Sequence, residues 1–550
     1  MLIALPHFLW GQEDTVQHIP EVRVNVSVQN IKVLRIRSPR SIITETDIRE
    51  LGLQDAGEVV SKLSGVHLKS YGGLGGLKTV SVRAMGSQHT PIVVDGFSLA
   101  NNQTGQINLG QIQTDNLVGA MLAVGEQAGL LSPISSQVAG SAIVLQTFEN
   151  TFSRDTFQLR SNIKYGSFNQ YNAYLAAKYN SKKWVLSTYG KYRAAKGNYA
   201  YDFQNGNSWE EGVRKNNDYQ DYYYGGMLGF RGKKVSTARL GFKGSGIDQE
   251  LPGAVILYNE TADERLTTKD HILFGDAIWE VKKTSFRFYG RMNQNTLNYV
   301  DPTFLNNSGG VDVTYVNKLA NAGLSFWLPF NSKFRFHGGL EQTVSTLNSS
   351  DSLFSAPLRF HNHLLLGTYI NLLHAKISVQ VSSQYVNEVN RLAESAEDRF
   401  KVNPFMMFES ISNDKYNWKH KLWYRNSFRM PSFNELYYNN IGNNILKPET
   451  AHQFNYGTEL EPLQKRVRLY IRSNLFFNRV NNKIVAIPTK NLFVWSMQNV
   501  ANVNIFGGEF MYTLAWKYKK WEIKANGNYT FQKSIDVTEG SLNKGDQIAY

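Results

Sequence analysis

The chain has 550 residues, a formal net charge of +14, no cysteine and an aromatic content of 13%, with a mean hydropathy of -0.36. Zero cysteine excludes disulfides, thiolate metal sites and cysteine nucleophiles. No run of about 18 apolar residues occurs, which excludes a helical membrane protein. The basic residues fall in scattered turns such as Ser181–Lys183, Gly232–Lys234 and Lys517–Lys520, without the clustering of a nucleic-acid surface.

Residues 1–11 are apolar and run into Gln12-Glu13-Asp14, reading as the tail of a secretory signal peptide that lacks its charged start. Residues 12–36 are polar and extended. Within them Glu21, Val22, Arg23, Val24, Asn25 and Val26 alternate polar and apolar side chains just after Pro20. Such a segment suits strand addition to another protein's sheet edge, or equally the first strand of the next domain.

A mixed α+β domain is expected over 37–150. Val59, Val60 and Leu63 predict a helix around Ala56–Leu63 that stops at Ser64-Gly65. Val66 starts a strand leading to the glycine-dense Gly72-Gly73-Leu74-Gly75-Gly76. That loop lacks the following helix and the Lys-Ser/Thr ending of a phosphate loop. Thr79–Gly96 then reads as two short strands around a polar turn holding Ser87, Gln88 and His89, and it closes on Asp95-Gly96. Asp95 there marks a turn, not a catalytic acid. Residues 97–113 carry Asn101, Asn102, Gln103 and further amides, suited either to meeting a ligand or to a solvated loop. Short strands including Ala142–Leu145 close the domain.

From 151 to 550 the period is two. Phe157, Leu159, Ile163 and Tyr165 oppose Gln158, Arg160, Asn162 and Lys164, and Leu469, Ile471, Leu475 and Phe477 oppose Arg468, Arg472 and Asn474. Both faces of a soluble sandwich strand would be covered by protein or water. Here one face is continuously apolar and the other charged, the pattern of a membrane barrel with a polar lumen. Short turns near 181–183, 232–234, 282–284, 331–333 and 464–466 alternate with longer loops near 194–218, 246–268, 301–311, 347–359 and 429–450. The segments give roughly eighteen candidate strands of about 9–11 membrane-crossing residues. No Gly-x-Ser-x-Gly elbow and no His-Glu-x-x-His helix is present, so no enzyme is expected.

Three places resemble one family, the TonB-dependent outer-membrane transporters. The segment Val82-Arg83-Ala84-Met85-Gly86 leading to Val93-Val94-Asp95-Gly96 is similar to its plug signature, with Ala84 where glycine is usual. Phe428-Arg429-Met430-Pro431-Ser432-Phe433-Asn434-Glu435-Leu436-Tyr437, followed by Asn443, Leu446, Pro448 and Glu449, is similar to its barrel motif. Glu21–Val26 is similar to a Ton box, although Arg23 is unusual there. A further departure lies at Val124-Gly125-Glu126 and Ser132-Pro133, where the family usually has an Arg-Gly-Pro run.

The resemblance implies an all-β transmembrane barrel, 22-stranded in the family with about 18 strands present here, plugged by an N-terminal mixed α+β plug domain. The C-terminus is then expected to be incomplete, because Gly545–Tyr550 reads as a late loop entering a further strand. The implied function is active import across the outer membrane of a Gram-negative bacterium. Its partners would be TonB with its inner-membrane energising complex, outer-membrane lipid and a small-molecule chelate, and neither a cofactor nor nucleic acid is expected. The candidate solute-binding residues at the plug apex are Gly73, Leu74, Ser87, Gln88, His89, Asn101, Asn102 and Gln103. A ferric siderophore or cobalamin is the expected solute, with a glycan or haem importer, or a passive porin, as alternatives. His361 and His363 share a strand face and could suggest haem or metal. Residues 433–445, where haem members carry a histidine, contain none. Arg83, placed inside a lumen, is expected to need a carboxylate partner.

Overall fold

A computed structural model describes residues 42–548, apart from short stretches within 126–130, 148–154, 233–234, 254–261, 305–308, 352–355, 391–393, 413–416, 439–440, 463–466, 489–494, 519–520 and 542–543. The Glu21–Val26 segment lies outside the described residues.

The N-terminal unit begins with β1 (Ile42–Thr44) and α1 (Glu45–Glu50), whose start is fixed by a capping box between Thr44 and Asp47. α2 (Ala56–Ser61) is capped by Asp55, which accepts from the Glu58 amide. β2 (Val66–Tyr71) and β3 (Leu77–Val82) form a separate hairpin across the glycine loop. β4 (Ile92–Val94), β5 (Phe97–Leu99), β6 (Gly119–Val124) and β7 (Ser141–Gln146) join β1 in a five-stranded sheet of order β1-β6-β7-β4-β5. The pairing is antiparallel except between β4 and β7. The two strands of Thr79–Gly96 therefore belong to different sheets. The helices, the hairpin and the inner face of the sheet share one apolar cluster that includes Val59, Val60, Leu63, Val80, Val82, Ile143 and Leu145.

Seventeen longer strands, from Thr156–Gly166 to Trp521–Asp536, form a closed barrel. Strands that follow one another around the wall, from Thr156–Gly166 to Trp521–Asp536, pair antiparallel. The alternation predicted from sequence is explicit in the strand Thr284–Asp301, where Arg287 and Tyr289 are fully buried inward and Phe288 is 53% exposed outward. Leu240, Leu273, Met292, Leu340 and Leu422 continue the exposed apolar outer band. No helix among the described residues is long and apolar enough to cross a membrane.

Short connections at 181–183, 282–283, 330–333 and 372–374 gather at one end, and long ones at 302–310 and 430–448 at the other. Two long loops are shorter than their sequence suggests. The strands Thr237–Leu251 and Glu264–Val281 extend far into the predicted 246–268 loop, and 194–218 contains its own hairpin, Ala200–Asn205 with Ser208–Val213. The wall strands reach 24 residues in Trp495–Tyr518, well beyond what a membrane crossing needs. A polar loop composition does not prevent a strand from continuing above the membrane, where both faces can be wet.

Candidate functional site

The barrel encloses the N-terminal unit, and the junction between them is built from buried ion pairs at several positions around the wall. Arg83 donates through Nε and Nη2 to Glu509 at 2.7 and 2.9 Å, and its guanidinium lies over the Phe476 ring. The carboxylate partner expected for Arg83 is thus present, 426 residues away in sequence. The turn that presents Arg83 is unusual for its residues, since Arg83 and Ala84 have φ of 51° and 57°. Gly86, with φ of 98°, donates its amide to Ser81.

Asp95 and Gly96 form the two-residue turn between β4 and β5, with φ of 54° and 85°. The Asp95 carboxylate accepts from the Thr147 amide at 2.7 Å, the Thr147 hydroxyl at 2.6 Å and Lys243 Nζ at 2.5 Å. Burial pushes this carboxyl up, but the Lys243 ammonium and the Thr147 donors outweigh it and hold Asp95 below the usual carboxylate range. Next to it, Arg287 donates to the carbonyls of Gly96 and Leu131 at 2.8 and 2.9 Å. It also shares Asp276 with Arg239.

The barrel motif and the plug turn meet in a single network. Ser432 caps a short helix, α4 (Phe433–Tyr437), in a capping box with Glu435. Arg429 pairs with Glu435 at 2.8 Å and with Glu449 at 2.5 Å. The other oxygen of Glu449 bonds His89 Nε2 at 2.7 Å. Burial pushes the His89 imidazole below its ordinary value, opposed by Glu449 and reinforced by Arg429 and Lys483, so it donates as a neutral ring. Leu436, Tyr437 and Leu446 fill an apolar cluster beside it, and the Tyr437 hydroxyl bonds Glu388. Pro431 and Pro448 are buried at either end of the segment, and Asn443 ties it to the Met497 carbonyl.

This segment, 430–448, also grips the plug apex. The amides of Phe433 and Asn434 donate to the carbonyls of Asn102 and Gln103 at 2.7 and 2.9 Å, while the Asn102 side chain donates to Ser345 at 2.6 Å. Of the sequence-predicted apex residues, Asn102 and Gln103 are therefore occupied in holding the plug to the wall. Asn101, Ser87 and Gln88 line a cavity of about 220 Å³. Gly73 and Leu74 sit on the exposed tip of the β2–β3 hairpin. Gly75 beside them packs so closely on Tyr219 that a Cβ would lie 2.3 Å from its ring. A second cavity, about 480 Å³, lies between β5, the 104–116 segment and the wall, and Asn101 lines it as well.

The Val124–Ser141 departure has its own docking scheme. α3 (Ile134–Gln137) presents the Ile134 amide to Tyr289 and the Ser135 amide to Glu341, both at 3.0 Å, and the Gln137 carbonyl to Arg425 at 2.7 Å. Sequence reading missed Glu509, Lys243, Asp276, Glu341 and Arg425. Each is a charge at an inward position of an alternating strand, and that much was visible. Their plug partners were not. The rings of His361 and His363 lie 4.0 Å apart in the lumen, tilted by 32°, and among the described residues no group of three or more metal-ligating side chains is gathered.

Known proteins place this architecture. Residues 32–122 match the family model of the TonB-dependent receptor plug domain, and residues 134–550 match that of the TonB-dependent receptor-like β-barrel. In sequence the chain is 27% identical over 107 residues to the vitamin B12 transporter BtuB of Vibrio vulnificus, a match covering 20% of this chain and 17% of that relative's length. In fold it is similar to the FrpB iron transporter of Neisseria meningitidis, with a TM-score of 0.70 at 10% identity, covering 92% of this chain and 81% of that one. It is also similar to the copper transporter OprC, with a TM-score of 0.69 at 11% identity, covering 90% and 81%. The two matched regions together run through most of the sequence, and the chain belongs to the TonB-dependent receptor family.

Proposed function

We propose that this chain is an active importer in the outer membrane of a Gram-negative bacterium, taking a scarce chelate from outside and delivering it to the periplasm with energy supplied through TonB. The observation that carries this reading is the fastening of the plug. A passive porin needs an open lumen, whereas here the lumen is filled and latched by Arg83–Glu509, Asp95–Lys243, Lys191–Asp115 and His89–Glu449. Three of these contacts are ion pairs and the fourth is a hydrogen bond from a neutral imidazole; parting them one at a time strands buried charges, which is where work supplied from outside would enter. Glu21–Val26 precedes β1, an edge strand joined to β6 by three residue pairs among the described residues. Tension arriving from a partner paired with Glu21–Val26 would act first on that edge.

A ferric siderophore or cobalamin is the solute this reading favours. The test is growth of a deletion strain on cobalamin and on a panel of ferric siderophores, each as the limiting nutrient. Loss of growth on one, restored by the gene, is expected; unchanged growth on all would overturn the reading.

A further inference from the structure

We infer that the lumen contains an oxyanion site built on Arg291, so that the imported solute carries a carboxylate or another anionic oxygen group. This rests on the import reading and narrows its substrate class. Arg291 lies near the middle of the strand Thr284–Asp301 and is only 4% exposed. Its Nε and Nη2 are buried without a hydrogen-bond partner among the described residues. Other arginines described in the lumen differ. Arg83, Arg193, Arg239, Arg287, Arg359 and Arg429 each hold a carboxylate, and Arg425 holds the Gln137 carbonyl.

The nearby carboxylates, Glu341 and Asp270, act on Arg291 through space, but neither hydrogen-bonds its Nε or Nη2. Glu341 accepts from the Ser135 amide at 3.0 Å, from Tyr289 at 2.8 Å and from Asn321 at 2.7 Å. Asp270 accepts from Asn293 at 3.3 Å and pairs in register with Asn295, whereas Arg291 pairs with Phe274 further along the same strand. A buried guanidinium whose Nε and Nη2 no anion hydrogen-bonds is costly to keep. Its planar fork of donors matches an oxyanion in a way an ammonium does not.

The surroundings form a receptor surface. Strand register sets Arg291 beside Asn321, Asn321 beside Thr343, and Thr343 beside His361, a polar row across four strands. All four line the 220 Å³ cavity beneath the Ser87–Thr90 and Ser98–Asn102 segments of the plug. The Thr343 oxygen accepts from Asn321 at 2.9 Å, which leaves its hydroxyl hydrogen free to donate. The formally charged residues of the lining are Arg291, Arg359 and Arg429 against Glu341. Arg291 also lines the 480 Å³ cavity on the other side of Leu99–Asn101. One guanidinium thus serves both chambers, and an anionic group leaving the first meets the same residue in the second.

The test uses the purified full chain in detergent, titrated at constant ionic strength with citrate, inorganic phosphate or, as a neutral arm, sorbitol. The readout is the midpoint of thermal unfolding followed by heat-modifiable electrophoresis, because a ligand bound to the folded state raises that midpoint. Saturable stabilisation by citrate or phosphate and none by sorbitol is expected, and the stronger of the two responses identifies a carboxylate or a phosphate. R291Q should raise the half-saturating concentration at least about tenfold, a factor worth about 1.4 kcal/mol. R291K, which keeps the charge and guards against a folding failure, should retain part of the response. R265Q, which alters an exposed pair with Asp248, should match the wild type. Equal responses of R291Q and the wild type, or no saturable response of the wild type to either anion, would overturn the inference. Because this readout needs neither TonB nor uptake, it separates failure of the anion site from failure of the import reading.

Discussion

His89 of the plug and Glu449 of the barrel meet at 2.7 Å, and through Glu449 the plug turn joins Arg429 and the capped helix α4. The two stretches that single out the family in the sequence are therefore one structural unit. Burial first, then Arg429 and Lys483, hold His89 neutral when folded, while an unfolded histidine takes up its proton below about pH 6.5. Below that value the unfolded chain binds more protons, so this contribution is complete above about pH 6.5 and is lost as pH falls. The stability difference between wild type and H89Q, followed by electrophoretic unfolding from pH 7.5 to 5, should shrink on acidification. A difference that grows instead would show a protonated His89.

Arg83 and Glu509 form a latch in which Asn474 also donates to the Glu509 carboxylate, at 2.9 Å. Removing one partner leaves the other charged and buried, a loss of about 3–5 kcal/mol. R83A should loosen the plug, read as increased conductance in planar bilayers and faster proteolysis within the 83–90 region. R83A/E509A should recover much of that loss, and a double variant no better than the single one would show that Arg83 acts through other contacts.

Ala84 tests how the turn tolerates its departure from glycine. A left-handed alanine costs about 1–2 kcal/mol relative to the right-handed region, which glycine would avoid. The methyl group is 1% exposed and packs with Met85, Phe476 and Val480, and a buried methylene-sized group is worth about 0.8 kcal/mol. The two effects nearly cancel. A84G should fall within about 1 kcal/mol of the wild type in unfolding midpoint experiments, and a much larger loss would assign the packing the dominant share.

Deletion of Glu21–Val26 should leave solute binding to whole cells intact and abolish accumulation inside them. Equal loss of both would show that the segment belongs to the folded plug and not to a coupling site.

The barrel was legible because period-two alternation survives in single strands: in Gln170–Asn180, Tyr171 and Leu175 are exposed while Asn172 and Tyr174 are buried. The turn at Asp95-Gly96 was legible because few sequences accept two positive φ angles in succession. What remained hidden was partnership. Glu509 looks like any inward glutamate, and only the closed ring brings it to Arg83. Asn102 and Gln103 have the composition of a ligand loop, yet their carbonyls are taken by Phe433 and Asn434. Local sequence encodes side-chain chemistry but not which distant backbone will claim it.

The plug keeps its large apolar cluster to itself and offers the wall only small patches, chiefly Ala84 with Met85, Phe97, and Ile134 with Val138. Displacing it would wet mainly polar groups, which water can satisfy, and little hydrocarbon. The heat-capacity change of displacement should accordingly be small beside that of unfolding the plug itself. On the import reading, this division of surfaces would let the plug part from the wall and reseat as a folded body.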